Sequence, residues 1–172
     1  NNSVHENNLR NFAPPGNIVG VVPPGTGFLV LATRNVEIFD NEVRDNKTIG
    51  AGIISYDLVA AMRGGRSDQS NTTGAQGVNQ NYKKDTDYDP YPGGVFIHDN
   101  QFSNSYFLPD LSNDFGRLLL SKFGMSLPII AWDGILAPGY MLDKSSINPD
   151  YQICVDESDN IKIANLDAGN DF

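Results

Sequence analysis

The chain has 172 residues and a hydrophobic content of 40%, which is enough to form the core of one compact unit. Its formal net charge of −9 argues against nucleic acid as a partner, because the phosphates would be repelled. No apolar stretch approaches the roughly 20 residues that a membrane-spanning helix requires. The net charge leaves three classes of possible ligand, namely neutral ligands, cationic ligands and anions bridged by calcium.

A short motif begins at Val4, at Ile38 and again at Ile97. Each copy has an aliphatic residue, a carboxylate two positions later, an Asn directly after it and an apolar residue two positions beyond. Apolar residues at every second position are typical of strands, and Asn tolerates the left-handed backbone region that a tight corner requires. The motif therefore predicts coils of short strands whose corner Asn residues form a ladder of side-chain hydrogen bonds.

Alignment of the three copies predicts two columns of side chains that stack from coil to coil. These columns are His5, Phe39 and His98, and beside them Glu6, Asp40 and Asp99. At a strand spacing of about 4.8 Å, the two histidines would lie about 9.6 Å apart, too far to share a metal ion. For the carboxylates we expect a structural role at the corners.

Two insertions separate the copies, at about residues 11–26 and 58–92. The first contains two Pro-Pro-Gly sequences, which exclude a helix and a central strand. The second is polar between Gly64 and Tyr82, a composition typical of mobile loops. The apolar runs Gly27–Leu31 and Ala51–Tyr56 predict further strands. Residues 1–107 are therefore predicted to form the coils.

Residues 108–172 differ in character and predict a C-terminal cap. Asp110 or Ser112 is positioned to begin a helix with Phe115, Leu118, Leu119 and Lys122 on one face, ended by Gly124, that seals the last coils. Strands are predicted at about 127–132, 151–155 and 161–163, the last two joined as a hairpin. The single Cys154 is either a buried thiol or the partner of a cysteine outside this chain.

Several segments carry a resemblance to a known fold. Asn35–Asn41 and Gly94–Asn100 are similar to the repeat of secreted pectate lyases and alginate epimerases. Asn17–Gly27, Tyr88–Pro92 and Asn165–Asn170 resemble a group of bacterial exported proteins of that fold. The resemblance implies an all-β solenoid, namely a right-handed single-stranded parallel β-helix with loop insertions and a short amphipathic capping helix. It also implies an extracellular, cell-surface or periplasmic location.

Proteins of that group carry further coils ahead of the matching segment. We therefore expect the chain to be a C-terminal portion of such a protein. An uncovered first coil is an open sheet edge, and open edges promote aggregation. We expect N-terminal coils, a protein partner or self-association to cover the edge at Asn1.

The acidic loop before the third copy is the first candidate site. Asp85, Asp87 and Asp89 alternate along the chain and could supply oxygen ligands for calcium. Tyr82, Tyr88 and Tyr91 could stack on sugar rings. A solvated acidic loop whose tyrosines pack on the adjacent coil is the alternative.

A catalytic site is the second candidate. The lyases and epimerases that the chain resembles abstract a sugar proton with a basic residue while a cation neutralises the carboxylate of the sugar. Basic residues, carboxylates and a possible cation site coincide in this sequence around Lys84, Asp89, Tyr91 and His98, which are therefore the candidate catalytic residues.

Three functions follow from these features. The favoured hypothesis is an exported binding or structural module that displays loops toward a polysaccharide, a cell surface or a protein partner. The alternatives are a calcium-assisted polysaccharide lyase or epimerase and a self-assembling filament subunit.

Overall fold

The protein is described here by a computed structural model that covers residues 1–13, 18–59, 87, 89–158 and 160–168. It contains ten strands: β1 (Ser3–His5), β2 (Thr26–Leu31), β3 (Arg34–Phe39), β4 (Glu42–Arg44), β5 (Ile49–Ile54), β6 (Gly93–His98), β7 (Gln101–Ser103), β8 (Ile130–Trp132), β9 (Ile153–Asp156) and β10 (Ile163–Asn165). Helix α1 spans Asp114–Phe123, residues 56–59 are helical, and short 3-10 helices lie at Ile18–Val21 and Pro149–Tyr151. No helix in the described part of the chain is long and apolar enough to cross a membrane.

The strands form three sheets in which all the pairings are parallel. The first sheet has the order β1-β4-β7, the second β10-β8-β5-β2 and the third β3-β6-β9. Along the chain, the strands enter the first, second and third sheets in turn three times, before β10 returns to the second. We call each set of three successive strands a rung: β1–β3, β4–β6 and β7–β9. The all-β, parallel character predicted from the sequence is confirmed.

The observed register agrees with the predicted columns for two of the three copies. Ile38 pairs with Ile97 and Phe39 with His98, as the motif predicts. The prediction that His5 joins their column is wrong, because His5 pairs with Arg44 in the first sheet. Strand β4 of the second rung is flanked by two corners with the same chemistry, Asp40-Asn41 and Asp45-Asn46, and the first copy of the motif matches the second of them.

The predicted asparagine ladder is confirmed for Asn41 and Asn100, whereas Asn7 of the first copy belongs to a different corner. The side-chain amide of Asn2 donates to Asn41 Oδ1 at 2.9 Å, and that of Asn41 donates to Asn100 Oδ1 at 2.9 Å. Asn100 donates in turn to Glu157 Oε1 at 2.8 Å. A second, shorter ladder joins Asn7 to Asn46 Oδ1 at 3.0 Å. Each step links successive rungs through a buried or half-buried polar group that would be costly to leave unpaired.

The left-handed backbone conformation falls on the carboxylate of each corner and not on the Asn, which corrects the prediction. Asp40, Asp45 and Asp99 have φ of 54°, 54° and 53°, and Glu6 has φ of 51°. The Asn that follows is instead held by its ladder bonds, in which both its backbone N–H and its amide donate to the next rung. Aspartate tolerates the left-handed region because its short side chain can bond local backbone groups.

Two apolar clusters lie on opposite sides of the second sheet. The inner cluster joins the second and third sheets through the buried side chains of Val30, Ile38, Ala51, Ile53, Val95, Ile97 and Ile130. The outer cluster joins the second sheet to α1 through Ile49, Ile54, Leu58, Phe115, Leu119, Ala131 and Leu166. All six residues of β5 are buried because this central strand contributes to both clusters.

Helix α1 has the predicted apolar face and the predicted end at Gly124, where φ is 60°. It begins later than predicted: Asn113 is the N-cap, and its Oδ1 accepts from Gly116 N at 2.8 Å, whereas Asp110 accepts from Ser112 N. Through Phe115 and Leu119 the helix packs against the side of the second sheet. The sequence predicts that this helix seals the last coils. In the structure it covers a face of the second sheet instead.

The predicted hairpin near the C-terminus is wrong. Strand β9 pairs with β6 in the third sheet, and β10 pairs with β8 in the second, both in parallel. Each strand adds to a sheet of several strands that packs on an apolar core, which is more stable than an isolated two-stranded hairpin. Cys154 lies on β9 and is half-buried, in contrast to the buried thiol favoured by its sequence context.

Candidate binding face on the third sheet

The outward side of the third sheet carries the most distinctive group of exposed side chains. Because side chains alternate along a strand, Ile38 and Ile97 point into the core, and their neighbours point outward. Phe39 and Phe96 are 46% and 38% exposed. We call the outward group, with the corner residue that follows β6, the His98 face: Glu37, Phe39, Phe96, His98 and Asp99.

The imidazole of His98 forms a stack with both phenyl rings. Its centroid lies 5.4 Å from that of Phe39, with an interplanar angle of 3°, and 4.1 Å from that of Phe96, with an angle of 23°. Phe39 is the cross-strand partner of His98, and Phe96 lies two residues before it on the same strand. The three rings therefore form a face-to-face stack on the outward side of the sheet, in which Phe39 and Phe96 are partly exposed.

Two carboxylates hold the His98 ring in place. Asp99 Oδ2 lies 2.8 Å from its Nδ1, and Glu37 Oε1 lies 3.0 Å from its Nε2. The hydrogen bond to Asp99, followed by that to Glu37, raises the pKa of His98 above its ordinary value. The doubly protonated ring can donate to both carboxylates at once, whereas the neutral ring can donate to only one.

Asp89, predicted as both a calcium ligand and a catalytic residue, lies in a different cluster. Its Oδ2 pairs with the Arg34 guanidinium and accepts from the Tyr151 hydroxyl at 3.0 Å, while its Oδ1 accepts from Tyr91 N at 2.9 Å. The Arg34 guanidinium also lies 4.1 Å above the Tyr151 ring. These contacts fasten the segment before β6 to the start of β3 and to the segment before β9.

The structure does not bring Asp89 and Tyr91 together with His98. Arg34, which binds Asp89, pairs with Gly93 at one end of the third sheet, and Phe39 pairs with His98 at the other. The two pairs lie five positions apart along the strand, a distance of at most about 17 Å at the usual rise per residue. Asp89 and His98 therefore belong to separate sites.

Other predicted site residues lie outside the described part of the chain: Tyr82, Lys84, Asp85 and Tyr88. Asp87 is described and exposed. The calcium site at Asp85, Asp87 and Asp89 stays a prediction, although Asp89 already accepts from a guanidinium, a hydroxyl and a backbone N–H. Among the described residues, no group of three or more His, Cys, Asp and Glu side chains could hold a metal ion.

Sequence reasoning missed Glu37 and Phe96 as members of the His98 face. A signal existed, because both occupy outward positions in the alternating pattern of the two aligned copies. For Arg34 and Tyr151 no local signal existed, since they lie 55 and 62 residues from their partner Asp89.

Compared with known proteins, the chain matches no family model, no curated protein and no solved structure. The function must therefore be inferred from the geometry and charge of the chain's own residues.

Proposed function

We propose that the chain is part of an exported right-handed parallel β-helix and that it binds polysaccharide on the His98 face. The cyclic order in which the strands enter the three sheets supports this fold, because successive rungs stack in parallel with aligned corners. The sequence resemblance to secreted β-helix proteins supports export. The module holds its ligand without chemical change.

The partly exposed aromatic stack of Phe39, His98 and Phe96 is the observation that carries this proposal. One face of a sugar ring presents C–H groups, which pack well on the exposed parts of phenyl rings, while hydroxyls at the ring edge donate to carboxylates. Glu37 and Asp99 lie beside the rings as such acceptors. A sheet holds all of these groups in place, so little side-chain entropy is lost on binding.

The negative charges around the His98 face determine which class of polysaccharide can bind there. Glu37 and Asp99 flank His98, Asp156 is paired with it in register on the neighbouring strand, and the whole chain carries a net charge of −9. An anionic polyuronate would meet repulsion at this surface. The ligand is therefore a neutral polysaccharide or one that bears cationic groups.

Binding accounts for this geometry better than catalysis does. A general base needs a ring nitrogen within reach of the substrate proton, whereas both nitrogens of His98 have carboxylate partners. Asp89 and Tyr91, the other described members of the predicted catalytic group, lie at the opposite end of the sheet.

The test is titration calorimetry with neutral, cationic and uronic acid polysaccharides, with and without calcium. The double variant Phe39→Ala/Phe96→Ala should bind a neutral or cationic polysaccharide roughly tenfold more weakly than the parent, because two stacking contacts are lost. Phe107→Ala is the matched control, since this ring is 73% exposed and lies outside the His98 face. Equal losses in both variants would contradict the proposal.

Proton NMR of the same mixtures after long incubation separates binding from turnover. Unchanged sugar spectra with broadened lines are expected of a binding module. New signals from unsaturated or epimerised sugar would overturn the proposal in favour of a lyase or epimerase.

A further inference from the structure

A cavity of about 320 Å³ lies on the outer side of the second sheet. It is bounded by β2 and β5, by residues 56–59 and by the start of α1. It is distinct from the His98 face, which lies on the third sheet. Its volume falls within the range of about 300–1,000 Å³ that is typical of small-molecule sites. We call it the Gly52 cavity.

Side chains of the outer cluster form most of the cavity wall. Leu29 and Ile54 come from the sheet, Leu58 from residues 56–59 and Phe115 from α1. Ile54, Leu58 and Phe115 are at most 6% exposed, and Leu29 is half-buried. The wall is therefore apolar and largely shielded from water, although α1 and the sheet do not close on each other at this place.

Gly52 on β5 lies at the floor of the cavity, and the packing of the fold does not require a glycine there. A Cβ built on Gly52 would meet only the side chains of Leu29 and Ile54, the nearest atom being Leu29 Cδ1 at 3.3 Å. Gly27 in the same sheet differs, because a Cβ there would lie 2.4 Å from Gly50 O. A glycine inside a strand lowers stability, and it often marks either a close backbone contact or a site where a ligand approaches. At Gly52 the backbone contact is missing, so the second explanation applies.

The polar groups of the cavity indicate the charge of its ligand. Four polar side chains line the cavity, and each is already bonded within the chain: Thr26, Ser112, Asn113 and Asp114. Among the described lining residues only Asp114 is charged, and it pairs with Arg117. A charged ligand would lose its water without gaining an unpaired group of opposite charge, whereas an uncharged ligand needs no such partner. The lining therefore favours an uncharged, apolar molecule.

Hydrogen bonds fix the elements that form the wall. Asn113 caps α1 by accepting from Gly116 N at 2.8 Å. On the other side, the buried Asp133 accepts from Ser55 N at 2.7 Å, and Ser55 Oγ accepts from Leu58 N at 3.3 Å. The cavity is therefore formed before a ligand enters, so little ordering entropy is lost on binding.

We propose that the Gly52 cavity binds a small, uncharged, apolar molecule between the second sheet and α1. An apolar cavity of about 150 Å³ holds benzene, so the larger Gly52 cavity accommodates about two fused six-membered rings or an alkyl chain of about ten carbons. The ligand packs on Leu29, Ile54 and Phe115 above Gly52. The driving force is the removal of its apolar surface from water. This inference does not depend on polysaccharide binding.

The test is an NMR titration of the full chain with naphthalene, followed through the methyl groups of Leu29, Ile54 and Leu58. Saturable shift changes are expected at these groups because they line the cavity. The absence of shift changes up to the solubility limit of naphthalene would overturn the inference.

A charged analogue tests the chemical class of the ligand. Naphthalene-2-sulfonate has the same two rings and one negative charge, which would be desolvated without a partner. Its affinity should be at least tenfold lower than that of naphthalene. Equal affinity for the two probes would show that the wall does not select an uncharged molecule and would overturn the inference.

Substitution of Gly52 tests the location of the site. Gly52→Leu places a large side chain in the cavity, so naphthalene affinity should fall at least tenfold. Gly139→Leu is the matched control, because Gly139 is exposed and lies outside the described lining, and it should leave the affinity unchanged. Equal affinity of Gly52→Leu and the parent would place the ligand elsewhere and overturn the inference.

Gly52→Ala keeps the test decisive if the larger side chain prevents folding. One methyl group fits after a small shift of Leu29 Cδ1, and it removes the entropic penalty of a glycine in a strand. Without ligand the thermal midpoint should rise by roughly 1–3 °C, and naphthalene affinity should fall about threefold or more. A lower midpoint would mean that the fold requires glycine here, and unchanged affinity would place the ligand elsewhere. Either result would overturn the inference.

Discussion

The second and third sheets use similar strands but treat their outer faces in opposite ways. On the second sheet the outer apolar side chains are covered by α1, and Leu119 of that helix is fully buried. On the third sheet no element of the described chain packs over Phe39 and Phe96, which remain exposed. The same alternating pattern therefore yields a core where a helix covers the sheet and an exposed aromatic group where no element of the described chain does.

The largest effect should come from weakening the covered face. Leu119→Ala removes a fully buried side chain between α1 and the second sheet, and we expect a loss of about 2–5 kcal/mol in the free energy of unfolding. Phe39→Ala on the uncovered face should cost less than about 1 kcal/mol, as for other exposed positions. Urea denaturation of both variants measures the difference. Similar losses would mean that the two faces do not differ as described.

The next largest effect is expected at the asparagine ladder, which lies at the corner between the third and first sheets. Asn100→Ala should cost about 1–3 kcal/mol, because the donors of Asn41 lose their buried acceptor. Asn2→Ala, at the exposed end of the same ladder, should cost clearly less. Thermal unfolding of the two variants checks the order, and a larger loss for Asn2→Ala would contradict it.

A smaller effect is expected at the end of the third sheet opposite His98. Asp89→Asn removes the charge that pairs with Arg34, and since both side chains are partly exposed we expect a loss of about 1 kcal/mol. Asp40→Asn is the control, because it removes an exposed carboxylate from a corner that Asn also tolerates. Polysaccharide affinity should be unaffected by Asp89→Asn. Loss of binding would indicate that the ligand lies near Asp89, at the end of the sheet away from His98, and would contradict the proposal.

The smallest effect concerns the protonation of His98. Because its pKa is raised in the folded protein, the protonated ring stabilises the fold at pH below the ordinary histidine value, and this contribution disappears as pH rises through the raised pKa. The stability difference between the parent and His98→Gln should therefore shrink with rising pH. An NMR titration of the His98 ring checks the cause, and a midpoint at or below the ordinary value would contradict it.

Features repeated within the chain could be predicted from the sequence, and single contacts between distant residues could not. The pairing of Ile38 with Ile97 and the ladder through Asn41 and Asn100 follow from a motif that both copies share. The first copy was misplaced because two different corners of a rung use the same carboxylate-Asn pair, so spacing alone could not distinguish them.

Helix α1 was likewise predictable in its own pattern but not in its contacts with distant residues. Its apolar face could be read from the spacing of Phe115 and Leu119, but its place against the second sheet depends on the shape of that sheet. In the candidate site, too, one part was predictable from the sequence and another was not. His98 was identified from the motif, whereas the pairing of Arg34 with Asp89 depends on a fold that brings residues 55 positions apart into contact.

The most direct test of the His98 face is an amide NMR titration of the full chain with the polysaccharide that binds most tightly in the calorimetric panel. The largest shift changes should lie at Glu37–Phe39 and Phe96–Asp99, on the uncovered face of the third sheet. Changes concentrated on α1 and the second sheet, with the third sheet unaffected, would contradict the proposal that the uncovered aromatic surface is the binding site.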